Sequence, residues 1–327
     1  MRLGDLGEFE LIDLITRHQA PAHGRLIKGI GDDCAVIAGD GDTVTLVTTD
    51  AMVEGVHFDL ATSTPEGLGA KLLAVNVSDV AAMGGQPKEA FLAISASPDF
   101  DATILERLVG GLQASGNMFD VQLAGGDTTS TQGPLVLSLT LVGMCLSGDV
   151  VYRSGAKPGD SVYVTGTPGE SAAGLRLGTM DWDHPSKKAL LRRHHRPEPR
   201  LNAGRHVASR KLASAMLDVS DGLAGDLRHI CRQSGVDVII DPDRLPVSEV
   251  LNDFCSEFGE NPADFVLLGG EDYELAFTSR NHNLPEEWDL ECRLSYIGKV
   301  VPGRGQVRIG RGGCSQVFEK NGFDHFS

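Results

Sequence analysis

Apolar residues recur at three-residue steps through Leu6, Phe9, Ile12 and Ile15, and Leu11 and Leu14 widen that face. The spacing predicts an amphipathic helix over Leu6–His18. Thr64 and Pro65 make a suitable N-cap and first helical residue, and the Ala- and Leu-rich run after them predicts a helix to Met83, halted by Gly84-Gly85. A third helix is expected over Ala102–Met118, with Ile104, Leu105, Leu108, Val109 and Leu112 on one side. Short β-branched or apolar runs predict strands at Thr43–Thr49, Ala90–Ser95, Val121–Ala124 and Leu135–Met144. The first half therefore reads as a mixed αβ domain.

A stretch rich in Gly, Ser and Asp, Leu146–Pro158, interrupts the pattern and sets a domain boundary near residue 148. Beyond it the sequence predicts a strand at Ser161–Thr165 and a helix at Gly169–Leu177. The polar Trp182–Arg200 reads as a short helix plus a surface loop. A strand at Met216–Val219, a helix at Gly222–Ser234 and strands at Val236–Ile240, Tyr273–Thr278 and Tyr296–Val301 follow. The fold class is α/β of the α+β type, with domains at 1–148 and 149–327. That division suits a chain of 327 residues at roughly 150 per domain.

Charge narrows the function. Lys plus Arg is 29 and Asp plus Glu is 45, a net of −16. This argues against nucleic acid and against an anionic membrane surface as partners. It leaves phosphate substrates open, because a bound cation inverts the local charge. Six cysteines without a Cys-x-x-Cys pair argue against zinc and for reduced thiols. With no signal-peptide pattern and no apolar run near ~18 residues, the expected location is the cytoplasm. The phosphate-binding G-x-x-x-x-G-K-[ST] loop, a G-x-G-x-x-G after a strand, the protein-kinase motifs, G-x-S-x-G and H-E-x-x-H are all missing.

What the chain has instead is a set of aspartates beside Gly, Ser or Thr: Gly31-Asp32-Asp33, Thr48-Thr49-Asp50, Asn76-Val77-Ser78-Asp79, Gly125-Gly126-Asp127 and Asp218-Val219-Ser220-Asp221. Most fall at predicted strand ends or helix starts, where α/β proteins carry ligand groups. Singly, Asp127-Thr128 and Asp221-Gly222 suit ordinary turn and capping roles. Asp79 is sharper, because it lies inside an apolar helix where an unpaired carboxylate is costly to bury. Hard oxygen donors suit Mg²⁺, which uses few carboxylates per ion, so seven aspartates imply more than one ion. Phosphoryl transfer needs such an arrangement, since it asks mainly for positioning and charge neutralisation.

These motifs, with Gly7-Glu8-Phe9, Glu54-Gly55-Val56-His57-Phe58, Arg153-Ser154-Gly155-Ala156-Lys157-Pro158-Gly159-Asp160, Val164-Thr165-Gly166-Thr167-Pro168-Gly169, Gly269-Gly270-Glu271-Asp272-Tyr273-Glu274-Leu275 and Gly322-Phe323-Asp324-His325-Phe326, run nearly end to end. In order and spacing the chain resembles the thiamine-monophosphate kinases, within the superfamily that includes aminoimidazole ribonucleotide synthetase. The resemblance implies a two-domain PurM-like fold, with an N-terminal domain that forms the dimer interface and binds ATP and Mg²⁺, and a C-terminal domain that completes the active site. It implies transfer of the ATP γ-phosphoryl group to thiamine monophosphate, several Mg²⁺ ions and a homodimer. By the same resemblance Asp33, Thr48, Thr49, Asp50, Asp79, Asp127, Asp218 and Asp221 are metal-binding, with Asp50, Asp127 and Asp221 catalytic. Gly126, Asp127, Arg153 and Ser220 would contact ATP, and His57, Glu271 and Phe323 the substrate.

The residue chemistry is compatible with those roles. Arg153 can hold phosphate bidentately, or make an ordinary surface ion pair. Ser220 can offer a hydroxyl or backbone N–H at a helix start, or act as an N-cap. Phe323 can stack on a cationic heterocycle, or pin the tail to the core. His194 and His195, among Arg192, Arg193, Arg196 and Arg200, read as a solvated basic segment. The rivals are another ATP-dependent enzyme of the superfamily, a non-catalytic ATP- or metal-binding regulator, and a metal-dependent phosphatase.

Overall fold

The computed structural model describes residues 7–17, 23–178, 180, 182–284, 292–311, 314–320 and 322. Two sheets divide the chain. The first holds β1 (Leu26–Lys28), β2 (Ala35–Ala38), β3 (Thr43–Val53), β4 (Gln86–Ala96), β5 (Gln122–Ser130) and β6 (Val136–Leu146), in the order β1-β2-β3-β6-β4-β5. The second holds β7 (Ser161–Thr165), β8 (Ala215–Val219), β9 (Val236–Ile240), β10 (Glu274–Ser279), β11 (Leu294–Pro302), β12 (Val307–Arg311) and β13 (Cys314–Val317), ordered β13-β12-β9-β11-β7-β10-β8.

Helix α1 (Gly7–Thr16) precedes the first sheet in the chain, and α2 (Pro65–Ala82) and α3 (Ala102–Phe119) pack on it. The second carries α4 (Glu170–Leu177), α5 (Ser186–His195), α6 (Leu201–Ser209), α7 (Leu223–Ser234), α8 (Glu249–Phe258) and α9 (Pro262–Leu268). Helix α2 starts where Thr64 Oγ1 accepts from Gly67 N at 3.1 Å, the cap expected from the sequence. Most of its residues are buried on every side, which marks a helix between layers rather than on a surface. Gly69 lets α2 and α3 cross closely, since a Cβ there would lie 1.9 Å from Leu108 O. Toward its C-terminal end Ala82 joins Tyr163, Val207, Met216 and Phe277 in an apolar cluster that ties the two sheets together.

The alternating faces of β3 and β6 pack one side of the first sheet against its core, and the other side stays open. Phe91, Met144 and Leu146 are exposed on that open side. Strands β7, β8 and β10 are buried on both faces, and the polar residues they carry, among them Asp218 and Glu274, are therefore buried too.

The structure corrects several boundaries. Strands β3 and β5 run past Thr49 and Ala124, so Asp50 and Asp127 lie within strands rather than after them. Asp218 is likewise inside β8. Helices α6, α8 and α9 and strands β1, β2, β12 and β13 were not expected; all are short, and α6 and α8 each bury one apolar stripe, Leu201, Val207 and Ala208 in α6 and Leu251, Phe254 and Cys255 in α8. The described cysteines are free, and no described helix is long and apolar enough to cross a membrane.

Candidate active site

The site forms where the β1–β2 loop, the middle of β3, the last turn of α2 and the end of β8 meet. Asp33, Asp79 and Asp218 each offer a carboxylate oxygen within 4.8 Å of the other two. Thr48 Oγ1 donates to Asp79 Oδ2 at 2.5 Å, and Ser78 Oγ donates to Asp218 Oδ2 at 2.6 Å. Asp50 lies two residues beyond Thr48, hence on the same strand face, and it shares a hydrogen bond with Asp79.

Crowding so many acids out of water raises their proton affinity. Burial, with Asp221 adding to it, pushes the Asp50 carboxyl up to about 6 against the hydrogen bond from Asp79. Burial and then Asp33 push Asp218 up to about 8, against the Ser78 hydroxyl and Arg153. Burial followed by Asp50, Asp218 and Asp33 holds Asp79 well above the carboxylate range. Arg153 is the cation that reaches this group: its Nε and Nη2 both donate to Asp33 Oδ1, at 3.0 and 2.5 Å. Asp33 Oδ2 and Asp50 Oδ2 are buried with no hydrogen-bond partner. An all-oxygen donor set with two orphaned carboxylate oxygens fits a hard divalent cation.

Asp32 does a different job. Its Oδ1 accepts from the Arg153 backbone N at 2.8 Å and its Oδ2 lies 3.3 Å from Lys28 Nζ, so it ties the loop to the Arg153 segment.

The expectation for the loop after β8 needs correction. Asp226 Oδ2 accepts from the backbone N–H of Ser220, Asp221 and Gly222 at 3.1, 3.2 and 3.2 Å. These successive amides form an anion-binding nest, and an internal carboxylate already fills it. Ser220 thus has its hydroxyl, not its N–H, to offer.

Three expected residues are not brought to the carboxylate cluster. Thr49 faces the open side of the first sheet, where its Oγ1 accepts from Thr140 at 3.2 Å. Asp127 pairs by register with Ala93, and Ala93 with Ser138, opposite Ala51, so it shares the face of Thr49 rather than that of Asp50. Three strand spacings, about 14 Å, separate β5 from β3. Gly126 sits in that same edge strand at φ 159°, and a Cβ there would meet Leu92 O at 1.8 Å, so only glycine fits.

Of the substrate candidates, His57 accepts from Val53 N through Nδ1 at 3.0 Å, which leaves the ring proton on Nε2. Glu271 adopts φ 62°, and its Oε1 meets Lys71 Nζ at 2.8 Å while Oε2 lies 3.3 Å from His194 Nδ1. Phe323 lies outside the described residues. The reading of this run as a solvated segment holds for the exposed Arg192 and Arg196 but is overturned for His194, Arg193 and Arg200. His194 is buried, and Arg193 and Arg200 bind the fully buried Glu274. Burial, then the charges of Lys71 and His195, lower the His194 pKa to about 3, so it lies beside Glu271 as a neutral imidazole.

Sequence reasoning missed Ser78, Lys71 and Asp226. Lys71 carried the same signal as Asp79, a lone charge in an apolar helix. Asp226, in the first turn of α7, carried the signal of an acid placed to receive orphan helix-start amides.

The chain matches the family of AIR synthase related proteins, through the N-terminal domain over residues 31–145 and the C-terminal domain over residues 157–310. It is 38% identical to thiamine-monophosphate kinase of Aquifex aeolicus (strain VF5), with 100% of each chain covered. It is 39% identical to thiamine-monophosphate kinase of Escherichia coli (strain K12), with 98% of each covered. Its fold superimposes on AaThiL complexed with AMPPCP and TMP at a TM-score of 0.87 and 37% identity, over 99% of each chain. On this footing the chain belongs to the thiamine-monophosphate kinase family of AIR synthase related proteins.

Proposed function

We propose that this protein transfers the γ-phosphoryl group of ATP to thiamine monophosphate, forming thiamine diphosphate and ADP. The observation that carries the reading is the buried Asp33–Asp79–Asp218 cluster beside Asp50, which Arg153 meets only at Asp33 Oδ1 and in which Asp33 Oδ2 and Asp50 Oδ2 accept no hydrogen bond among the described residues. Its relatives bear the name of this kinase, and AaThiL binds AMPPCP and TMP, taken here as an ATP analogue and thiamine monophosphate.

Asp33, Thr48, Asp50, Asp79, Asp218 and Asp221 would hold Mg²⁺, more than one ion. Bound there, Mg²⁺ supplies charge neutralisation and alignment for the two polyanions. The chain's own residues do the rest. Arg153, already cationic beside Asp33, and the Ser220 hydroxyl face the nucleotide phosphates. His57 can donate from Nε2 to the acceptor phosphate, and Glu271 and Phe323 serve the thiamine end. The acceptor is a phosphate monoester with a second pKa near ~6, already largely dianionic at neutral pH, so no strong general base is needed. One of its oxygens forms the new P–O bond as the bond from the γ-phosphorus to the β–γ bridging oxygen breaks, and ADP leaves. Transfer is direct, and a trapped covalent phosphoenzyme would overturn that.

Residues 1–148 bind ATP and the metal and form a homodimer, and 149–327 complete the site, in the cytoplasm. The dimer packs through the open face of the first sheet. Exposed Phe91, Met144 and Leu146 favour this, and Thr49, Gly126 and Asp127 take their roles from that side. The test is incubation with ATP, Mg²⁺ and thiamine monophosphate, followed by identification of the thiamine product. Thiamine diphosphate with equal ADP is expected. Thiamine with inorganic phosphate, or ADP formed without acceptor, would overturn the reading.

A further inference from the structure

Lys71 stands in α2 between layers of apolar side chains and is only 3% exposed. Lysine is almost never so buried without a partner. Its partner is the substrate candidate Glu271, from the loop that precedes β10, at 2.8 Å. The other Glu271 oxygen is met by His194 Nδ1 at 3.3 Å, and that nitrogen is also 3.3 Å from Ser171 Oγ. The Glu271 backbone is equally constrained, with φ 62° and its N–H donating to Ser220 O at 2.7 Å. Side chain and backbone are thus fixed from three directions, yet the Glu271 side chain keeps 26% exposure. A carboxylate has about four lone-pair sites, so two remain for a ligand.

Position along α2 adds the second observation. Lys71 and Asp79 are eight residues apart, which sets them within a quarter turn of each other and ~12 Å apart along the axis. The last turns of the helix therefore serve the acid cluster, and a turn nearer its middle serves Glu271.

We propose that Lys71 is a positioning residue for acceptor recognition: with His194 it holds the Glu271 carboxylate where the cationic heterocyclic end of the phosphorylated acceptor arrives. The assignment rests on the functional reading above. Lys71 itself touches no reacting atom and acts through Glu271.

Steady-state kinetics of Lys71→Met test it, with thiamine monophosphate and ATP varied in turn. The KM for thiamine monophosphate should rise ~10-fold, the scale of one charged hydrogen bond, with a smaller change in kcat. The KM for ATP should stay within ~2-fold, inside the scatter expected of an uninvolved group. Lys71→Arg should recover part of the loss. Because Lys71 acts through Glu271, adding Lys71→Met to Glu271→Gln should cost no more than Glu271→Gln alone. If Lys71→Met does not fold, Lys71→Gln, which keeps a donor, carries the same comparison. A folded variant with unchanged KM for thiamine monophosphate, or with both KM values raised alike, overturns the assignment alone. A wild-type protein that makes no thiamine diphosphate overturns the functional reading and this assignment with it.

Discussion

Two groups of buried acids lie in this molecule under opposite conditions. Glu274 is fully buried, and its carboxylate is saturated by Arg193, Arg200 and the Thr165 hydroxyl at 2.5 to 2.7 Å. Burial works against its charge most strongly, yet the two guanidiniums hold its carboxyl below the ordinary glutamate value. Asp50, Asp79 and Asp218 are buried too, and their carboxyls are pushed upward. The chain builds a full set of counter-charges for Glu274 and withholds it from the aspartates. A buried acid whose counter-charge is built in is structural. One whose counter-charge is withheld awaits a cation from solution.

The largest effect should come from neutralising an acid in the second group. Asp79→Asn or Asp50→Asn should lower kcat/KM by at least ~10²- to 10³-fold, the scale for removing one preorganised electrostatic group. Thermal unfolding of the metal-free protein should be unchanged or shifted upward, because one of several crowded, desolvated acids has been removed. Full activity in both variants would erase the contrast. In the first group the same logic gives the reverse outcome. Arg200→Met strips a cation from Glu274 and should destabilise by about 3 kcal/mol, read from urea denaturation.

A smaller effect separates the groups by ligand. Mg²⁺ at a hundred times its Kd should stabilise the wild type by ~2.7 kcal/mol. Asp79→Asn should lose most of that gain, while Arg200→Met should keep it despite its lower starting stability. Calorimetric unfolding with and without Mg²⁺ measures both. Equal Mg²⁺ stabilisation of wild type and Asp79→Asn would mean that the ion binds elsewhere.

Sequence made the second group legible and hid the first. Asp33, Asp50, Asp79, Asp218 and Asp221 announce themselves together, because each sits in a short Gly/Ser/Thr motif and the set is larger than ordinary capping and turn roles require. Their convergence depends on β3, α2 and β8 meeting at one point, and only the resemblance supplied it. Glu274 and its arginines are spread over residues 193, 200 and 274, so no local pattern joins them, and the arginines passed for a solvated run. Asp127 shows the reverse case. Its motif was legible, but strand order and register carry it about 14 Å from β3 and onto the opposite face. Helix α8 was legible but overlooked, since Val250, Leu251, Phe254, Cys255 and Phe258 repeat at helical spacing behind the N-cap Ser248, whereas α9, at 7 residues, is too short to show a period.

The finest version of the comparison lies two residues apart. Asp272 accepts from Gly169 N and Ser171 N at 2.6 and 3.1 Å, holding the start of α4. Burial outweighs those bonds and pushes its carboxyl up to about 8, while Glu274, on the same strand approach, is held below its ordinary 4.5. The signs of their pH dependences therefore differ. From about pH 4 to pH 8 folded Asp272 keeps a proton that the unfolded chain has released, so its contribution to stability falls as pH rises through that window. Glu274 contributes fully above its unfolded value, and that contribution is lost only as pH falls through its lowered folded value. Chemical denaturation of metal-free protein at pH 5 and pH 8 should show Asp272→Asn losing less stability over that interval than wild type. Glu274→Gln should leave the interval unchanged and lower stability at both ends. An Asp272→Asn slope equal to wild type would mean that its two backbone donors, rather than burial, set the state of Asp272.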